Sequence, residues 1–458
     1  MKPERFQPFY SVTKRYARFV LGFYYRKLQV HGYPEHVPFD GALFIAANHQ
    51  NTFLDPVIIS GTSQKMHQHN FITRADVFNP TTQKIFDMLK MVPIYRQRES
   101  GSSALQKNEE MFKQYSQRLL HEESFIIFVE GNHAQTRQLR PLRKGIARIA
   151  HITLEEANYE LPMNIVPAGL HYHDHHAYYS DALLVFGPPI DLAPYHGQLK
   201  AHPAKAVNEI LAELTPAMRR VMIDIRSEQH YGLIDQLRAW LAPTLTAEEG
   251  EDPRDLYQLF LREQRLIAAL DEAAEANDPV LEQLDGDVKA YRMKLRQFDT
   301  TDEAVAAGPI PATKRMGELL LLALSAPLFA YGYLNHIFLV LMARQLPERL
   351  VKDHEFYPAI RYGIGLLGTP LLYLLQAGVV TGLAGWAWGL GYLVSLLPAG
   401  RFATYWYHWR KRWSAQKNFH QALSQGGQSL LDLRQRLLDG IKQAMAPQKD
   451  PQATVDHQ

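Results

Sequence analysis

The chain of 458 residues contains no cysteine, which excludes disulfides, a thiolate nucleophile, Cys-ligated zinc and iron–sulfur clusters. Any catalysis must therefore use His, carboxylate, Ser/Thr, Lys or Arg. Excess charge of one sign is also missing. Forty-nine Lys+Arg against 47 Asp+Glu leave a formal net charge of +2, too little to neutralise nucleic-acid phosphates wholesale, so no nucleic-acid partner is expected and any basic patch is local. A secretory leader is not recognisable either. The apolar stretch from Phe19 to Tyr25 is short, is followed at once by Arg26 and Lys27, and has no small-residue cleavage site. This implies a catalytic part facing the cytoplasm.

Long uncharged runs are absent from the first 318 residues, then two follow closely. Leu319 to Ala343 carries no formal charge for 25 residues, enough to cross a hydrocarbon core that needs about 20. Tyr362 to Gly400 is charge-free for 39 residues, so it holds two short spans, or one span plus a re-entrant piece broken near Pro370 or Gly378. Tyr405, Trp406, Tyr407 and Trp409, with Arg410, Lys411, Arg412 and Trp413, form an aromatic and basic anchor of cytoplasmic type. An integral membrane protein with a C-terminal hairpin is expected, its α/β part on the cytoplasmic face and the lipid bilayer as partner.

The rest falls into further regions. Residues 1–35 carry a basic amphipathic helix, with Tyr16, Phe19, Val20, Phe23 and Tyr24 at helical spacing and Lys14, Arg15, Arg18 and Arg26 around the other side. That apolar stripe either packs on the domain core or docks on a membrane surface. Residues 36–200 alternate short apolar runs (Ala42–Ala47, Phe125–Val129, Ile165–Leu170, Leu183–Phe186) with helical patterns over 81–90, 103–121 and 144–157, an α/β layered sheet-and-helix domain. Residues 201–315 read as a charged helical accessory region, 316–413 as the membrane region, and 414–458 as a polar helix with a disordered tail from about Ala446.

In open α/β sheets, ligand sites collect where strands end. The run Ala42–Ala47 ends in Asn48-His49, and Asp55 follows before Pro56. A His/Asp pair is a general-base unit, because the carboxylate fixes the ring tautomer and stabilises the imidazolium. The run Phe125–Val129 ends in Glu130-Gly131-Asn132-His133, and Arg137, Arg140, Arg143 and Lys144 precede a helix starting near Gly145. Four cations in eight residues near a helix N-terminus make either a phosphate trap or a solvated basic loop. Arg74 follows the run Phe71-Ile72-Thr73, and Arg96 follows Val92-Pro93-Ile94-Tyr95.

The ordered blocks resemble the glycerolipid acyltransferase superfamily: a His…Asp block, an Arg-containing block, a Phe-Pro-Glu-Gly block and an apolar Val-Pro block, spread over residues 44 to 170. Five residues lie between His49 and Asp55 instead of the common four. His49, Asn51, Phe53, Asp55 and Pro56 fit the His-x-Asn-x-Phe-x-Asp-Pro of the branch containing the fungal glycerol-3-phosphate and dihydroxyacetone-phosphate acyltransferases. Leu139-Arg140-Pro141-Leu142-Arg143-Lys144-Gly145 is similar to that branch's Leu-x-Pro-Leu-Lys-x-Gly. The chain departs from the superfamily at Val129, in place of Pro, at Asn132-His133, in place of Thr-Arg, and in lacking the Gly that opens the second block.

The resemblance implies that His49 is the general base, Asp55 its orienting partner, and Arg74 with Glu130 and Gly131 the acceptor-phosphate site. Asn51 joins the substrate-binding residues, and Arg137, Arg140, Arg143 or Lys144 stands in for the missing arginine. Ile165 to Gly169 would line the acyl or acceptor pocket. No metal and no resident cofactor is implied. The cosubstrate is acyl-CoA or acyl carrier protein, the acceptor glycerol-3-phosphate, with 1-acylglycerol-3-phosphate as the alternative. Backbone N–H groups near Gly131 or residue 50 are candidate oxyanion donors.

Two rival readings stand beside this one. His171, His173 and His175, at alternate positions with Asp174, would suit a metallohydrolase. A non-catalytic membrane scaffold would suit the accessory helices and hairpin.

Overall fold

The computed structural model describes residues 7–38, 40–63, 68–81, 83–95 and 103–446. Arg96 and the tail beyond residue 446 lie outside them. The chain divides into two compact units, residues 1–223 with 338–376, and residues 224–337 with 377–458.

The first unit is built on an eight-stranded sheet. Its strands are β1 (Lys27–His31), β2 (Ala42–Ala47), β3 (His69–Arg74), β4 (Met91–Ile94), β5 (Ser124–Phe128), β6 (Met163–Tyr172), β7 (Asp181–Phe186) and β8 (Ile190–Asp191). They run in the order β1-β7-β6-β2-β5-β3-β4, with β8 on β6. All neighbours are parallel except β6 with β7 and with β8. Strand β2 lies between β6 and β5 and is buried along its whole length, as expected of an unbroken apolar run in a sheet covered on both faces.

Alternation along β2 divides the core. Ala42, Phe44 and Ala46 pack with Phe125, Ile127 and the helices Ser103–Leu119, Gly145–Glu156 and Pro203–Val221. Leu43, Ile45 and Ala47 face the other way, towards Leu21 of helix α1 (Pro8–Tyr24) and Leu54, Ile58 and Ile59 of helix α2 (Leu54–Thr62).

Two boundaries differ from the expected ones. Strand β1 begins at Lys27 and pairs with β7 from Lys27↔Asp181 to His31↔Val185, so a cut at residue 35 removes a strand from the sheet. The helix Pro203–Val221 belongs to the sheet unit rather than to an accessory region, because Ile210, Leu214 and Met218 complete one core face. Its end approaches β6 so closely that a Cβ on Gly169 would lie 1.6 Å from the Val221 carbonyl oxygen. Only glycine fits there.

Helix α1 packs on α2, and only part of the expected stripe, Val20 and Tyr24, joins the core. Tyr10, Ala17, Leu21 and Tyr24 are buried, while Tyr16 and Phe19 are exposed with Phe9 and Val12. Lys14, expected on the solvated side, is buried and donates to Ser63 Oγ at 2.9 Å.

In the second unit the helices Tyr231–Glu248, Leu256–Glu275, Val280–Gln297 and Gln428–Met445 enclose buried ion pairs. Arg238 Nη1 meets Glu263 Oε1 at 2.6 Å, and Arg434 Nε meets Asp302 Oδ1 at 2.9 Å. Residues 312–337 and the helix Trp386–Ser424 run antiparallel at close range. A Cβ on Gly332 would meet the Ala399 carbonyl oxygen at 2.2 Å, Phe329 stacks on Trp406 at 4.1 Å, and Trp413 Nε1 donates to the Arg315 carbonyl at 3.1 Å.

Among the described residues, two helices, Ala312–Leu350 and His354–Ala384, are long and apolar enough to cross a membrane. Leu324 is 78% exposed and Leu383 85%. The chain turns at Gly385, with φ +92°, rather than at Pro370 or Gly378.

Candidate active site

Strand β2 stops because a side chain takes over from the backbone. Asn48 Nδ2 donates to the Leu170 carbonyl at 3.0 Å, and the Leu170 N–H donates to Asn48 Oδ1 at 2.7 Å, so an amide side chain imitates one ladder rung and frees the chain to leave the sheet. The next residue is His49. Its ring stacks on Phe128 at the end of β5, centroids 3.9 Å apart and planes 12° apart. That contact fixes the ring plane, and about a sixth of the side chain stays exposed, 17%.

The loop then turns through Thr52, at φ +40°, into α2, whose first turn carries Asp55. Asp55 is fully buried. Its Oδ2 accepts from His49 Nδ1 at 2.7 Å, the Gln50 N–H at 2.8 Å and the Asn51 N–H at 2.9 Å, and Oδ1 accepts from the Tyr172 hydroxyl at 2.5 Å. A carboxylate surrounded by donors acts as acceptor, so Nδ1 of His49 carries the ring proton and Nε2 the lone pair. Asp55, expected from the sequence to be the partner of His49, has its Oδ2 at 2.7 Å from His49 Nδ1. Burial first, and then the Asp55 charge, hold the Tyr172 phenol well above its ordinary range, so Tyr172 is a donor throughout the neutral range.

Glu130 supports the same loop from β5. It is buried; Oε2 accepts from the His49 N–H at 3.2 Å and from Arg140 Nη2 at 2.9 Å, and Oε1 accepts from the Arg140 N–H at 3.0 Å. The carboxylate, expected from the sequence in the acceptor-phosphate site, joins the His49 loop to the basic loop. A carboxylate repels an anion, and this one is already engaged by donors. Gly131, at φ +78°, places its N–H on the Phe128 carbonyl at 3.0 Å. Of the N–H groups near Gly131 and residue 50 that were candidate oxyanion donors, those of Gln50 and Asn51 are held by Asp55 and that of Gly131 by the Phe128 carbonyl.

The four cations separate into two kinds. Arg137 is buried, and Nη2 donates to the carbonyls of Tyr172 at 2.8 Å and His173 at 3.1 Å. Arg140 pairs with Glu130 and reaches the Asn132 carbonyl. Both lock the loop. Arg143 and Lys144 are exposed at the N-terminus of the helix Gly145–Glu156, and neither forms an ion pair among the described residues. Arg143 folds across Gly131, where a Cβ would meet its Cγ at 3.1 Å. These two are the cations open to an incoming anion.

Arg74 ends β3, two strands from β2 on the same edge, and forms an exposed local pair with Asp76. Asn51 is buried and donates to the His175 carbonyl at 3.1 Å. It holds a loop, as Gln50 does through the Thr136 carbonyl and His175 Nε2, both at 3.2 Å.

The histidine segment after β6 is put to separate uses. His171 is inside β6 and buried, His173 is exposed, and His175 is buried against Gln50 and the Tyr172 ring. Among the described residues, one group brings metal-type ligand atoms within 4.8 Å of one another, His133, Asp353 and Glu355. His133 was not among the expected site residues, although its ring stands edge-on to His49 at 5.6 Å and Nε2 lies 3.1 Å from Glu355 Oε2. Burial, then the neighbouring His49, pull its pKa below the ordinary imidazole value. Its only sequence signal is its place after Glu130-Gly131. Tyr172 has no local signal, being 117 residues from the carboxylate it holds.

Residues 27–171 match the family model described as Acyltransferase. Over 287 residues the chain is 22% identical to glycerol-3-phosphate O-acyltransferase 1 of Saccharomyces cerevisiae, an alignment covering 57% of this chain and 36% of that protein. Over 93 residues it is 30% identical to the yeast glycerol-3-phosphate O-acyltransferase 2, covering 20% of this chain and 12% of the relative. The chain thus spans about a third or less of the curated relatives it matches. Among solved structures, the 1-acyl-sn-glycerophosphate (LPA) acyltransferase from Thermotoga maritima aligns with a TM-score of 0.33 at 18% identity, covering 46% of this chain and 76% of that one.

Proposed function

From the premise that this chain belongs to the glycerolipid acyltransferase superfamily through the domain of residues 27–171, we propose that it moves a fatty acyl group from a thioester to a hydroxyl of glycerol-3-phosphate. One observation carries the reading: a partly exposed imidazole, its Nδ1 held at 2.7 Å by a buried carboxylate, at the end of the central strand and beside a loop bearing Arg143 and Lys144. The similarity to two glycerol-3-phosphate O-acyltransferases favours that acceptor over 1-acylglycerol-3-phosphate.

The chemistry follows from the tautomer. Nε2 of His49 takes the proton of the acceptor hydroxyl as the oxygen attacks the thioester carbonyl, and Asp55 stabilises the imidazolium that results. The tetrahedral adduct collapses by breaking its carbon–sulfur bond. The thiolate leaves with the proton returned from His49, so ester and thiol are formed and the base is regenerated. General-base catalysis of this kind contributes roughly 10² to 10⁴ in rate. Arg143 and Lys144 hold the acceptor phosphate and turn its hydroxyl towards Nε2. The exposed apolar flanks of Ala312–Leu350 and His354–Ala384 lie in the bilayer that receives the lipid product, with the basic and aromatic stretch Tyr405–Trp413 on the cytoplasmic side.

The test is direct. Purified protein in detergent or liposomes is given palmitoyl-CoA, or palmitoyl acyl carrier protein, with glycerol-3-phosphate, dihydroxyacetone phosphate or lysophosphatidic acid in separate reactions. Thiol release with formation of 1-acylglycerol-3-phosphate, lost in His49→Ala, is the expected result. Acylation of lysophosphatidic acid alone moves the assignment to the alternative acceptor. A His49→Ala protein as active as the parent removes the enzyme reading.

A further inference from the structure

Asp55 is bonded at both oxygens, and one bond comes from far along the chain. Oδ2 serves His49 Nδ1 and the Gln50 and Asn51 N–H groups, all from its own loop. Oδ1 is reached by the Tyr172 hydroxyl at 2.5 Å, from the last residue of β6. Tyr172 is completely buried, its ring lying 6.2 Å from that of Tyr25 and 5.5 Å from that of His175. Its own carbonyl accepts from Arg137 Nη2 at 2.8 Å. The phenol is therefore held from both sides and from its main chain, and it does not face the open side of His49.

We infer that Tyr172 is a positioning residue of the acyl-transfer reaction: by donating to Asp55 Oδ1 it sets how much negative charge Oδ2 offers His49, and so tunes the basicity of Nε2. The inference rests on the proposed role of His49. A carboxylate that gives part of its charge to a phenol stabilises the His49 imidazolium less, so removing that donor and strengthening it act on the base in opposite directions. An O–H to carboxylate bond is of the short, strong kind, and in a buried pocket no water competes for it.

Removing the hydroxyl has a signed consequence. In Tyr172→Phe, Oδ1 loses its donor and Asp55 keeps its full charge for its remaining partners, so the acid limb of the pH–rate profile moves to higher pH. Replacing Tyr172 with 3-fluorotyrosine, whose phenol is the more acidic and the better donor, moves the limb to lower pH. Among the described residues, the other charged or titratable groups around His49, Asp55 and Tyr172 include Glu130, beneath the His49 main chain and paired with Arg140; His133, edge-on to the ring, with Glu355 behind it; Arg137, on the Tyr172 carbonyl; and His175, Tyr25 and Tyr24 on the Tyr172 side. Both substitutions leave these residues in place, and of them Tyr25 is coupled to the Tyr172 phenol itself.

The experiment measures kcat and acceptor KM of the full chain in liposomes from about pH 5 to 9, for the parent, Tyr172→Phe and the fluorotyrosine protein, with thermal unfolding in parallel. The expected outcome for Tyr172→Phe is an acid limb raised by about half a unit or more, a fall in kcat on that limb of about threefold for each half unit, and an acceptor KM within about twofold. The fluorotyrosine limb moves the opposite way. Limbs that coincide in all three proteins overturn the inference, even if Tyr172→Phe is less stable or less active, because a merely structural tyrosine changes the amount of folded enzyme and not its pH profile. Should Tyr172→Phe fail to fold, the fluorotyrosine protein decides alone. His49→Ala, run alongside, separates the two claims: coincident limbs with an inactive His49→Ala dismiss Tyr172 only, whereas an active His49→Ala dismisses the general-base reading itself.

Discussion

Glu130→Gln separates a brace from a substrate ligand. In the structure the Glu130 carboxylate accepts three hydrogen bonds, from Arg140 Nη2 at 2.9 Å, the Arg140 N–H at 3.0 Å and the His49 N–H at 3.2 Å. Glutamine keeps one acceptor oxygen and turns an NH₂ towards groups that are themselves donors. Bonds to an ionised acceptor are worth about 1.5 to 3 kcal/mol each. The His49 bond is the longest, and Arg140 is 27% exposed while the Glu130 side chain is 3% exposed, so water takes over part of what Arg140 loses. The net loss is roughly 3 kcal/mol, a fall in melting temperature of about 6 to 12 °C for a unit of this size. Because the same carboxylate tethers the His49 main chain, kcat falls by about tenfold or more. Differential scanning fluorimetry of the detergent-solubilised protein, with steady-state kinetics, reads both quantities. A variant that melts with the parent and changes only the acceptor KM refutes the brace and returns Glu130 to the substrate site.

Two further expectations follow from the same geometry. Arg143→Ala with Lys144→Ala raises the acceptor KM by about five- to twentyfold and weakens its salt dependence, with an unchanged melting temperature, whereas Arg137→Ala lowers the melting temperature because its guanidinium holds the Tyr172 and His173 carbonyls; equal KM values for the double variant and the parent reject the first part. Gly169→Ala places a methyl 1.6 Å from the Val221 carbonyl oxygen and forces the helix Pro203–Val221 off the sheet, at a cost of about 1 to 3 kcal/mol; an unchanged unfolding curve rejects that close approach.

Much of the architecture is legible in the residues. Ala42–Ala47 and Phe125–Val129 are apolar throughout because their strands are covered on both faces, and the polar residues that follow mark the strand ends where the site forms. His49 and Asp55 are close in sequence, so a single turn into a helix brings them together, and their pairing is readable from spacing. What spacing does not carry is the use of each charge. Arg137, Arg140, Arg143 and Lys144 look alike in the chain, yet two are bound into the fold and two are open, which depends on the carbonyls and carboxylate that β5 and β6 bring up. Glu130 belongs to the expected site, but its role as a brace depends on donors from two loops. The stripe that α1 buries, the place of β1 in the sheet and the turn at Gly385 were settled by neighbours that periodicity does not see. Above all, Tyr172 meets Asp55 across 117 residues. Local sequence fixes which groups lie within a turn of one another, because chain connectivity limits their separation; contacts between distant strands are fixed only when the sheet closes and burial forces each polar group to find a partner.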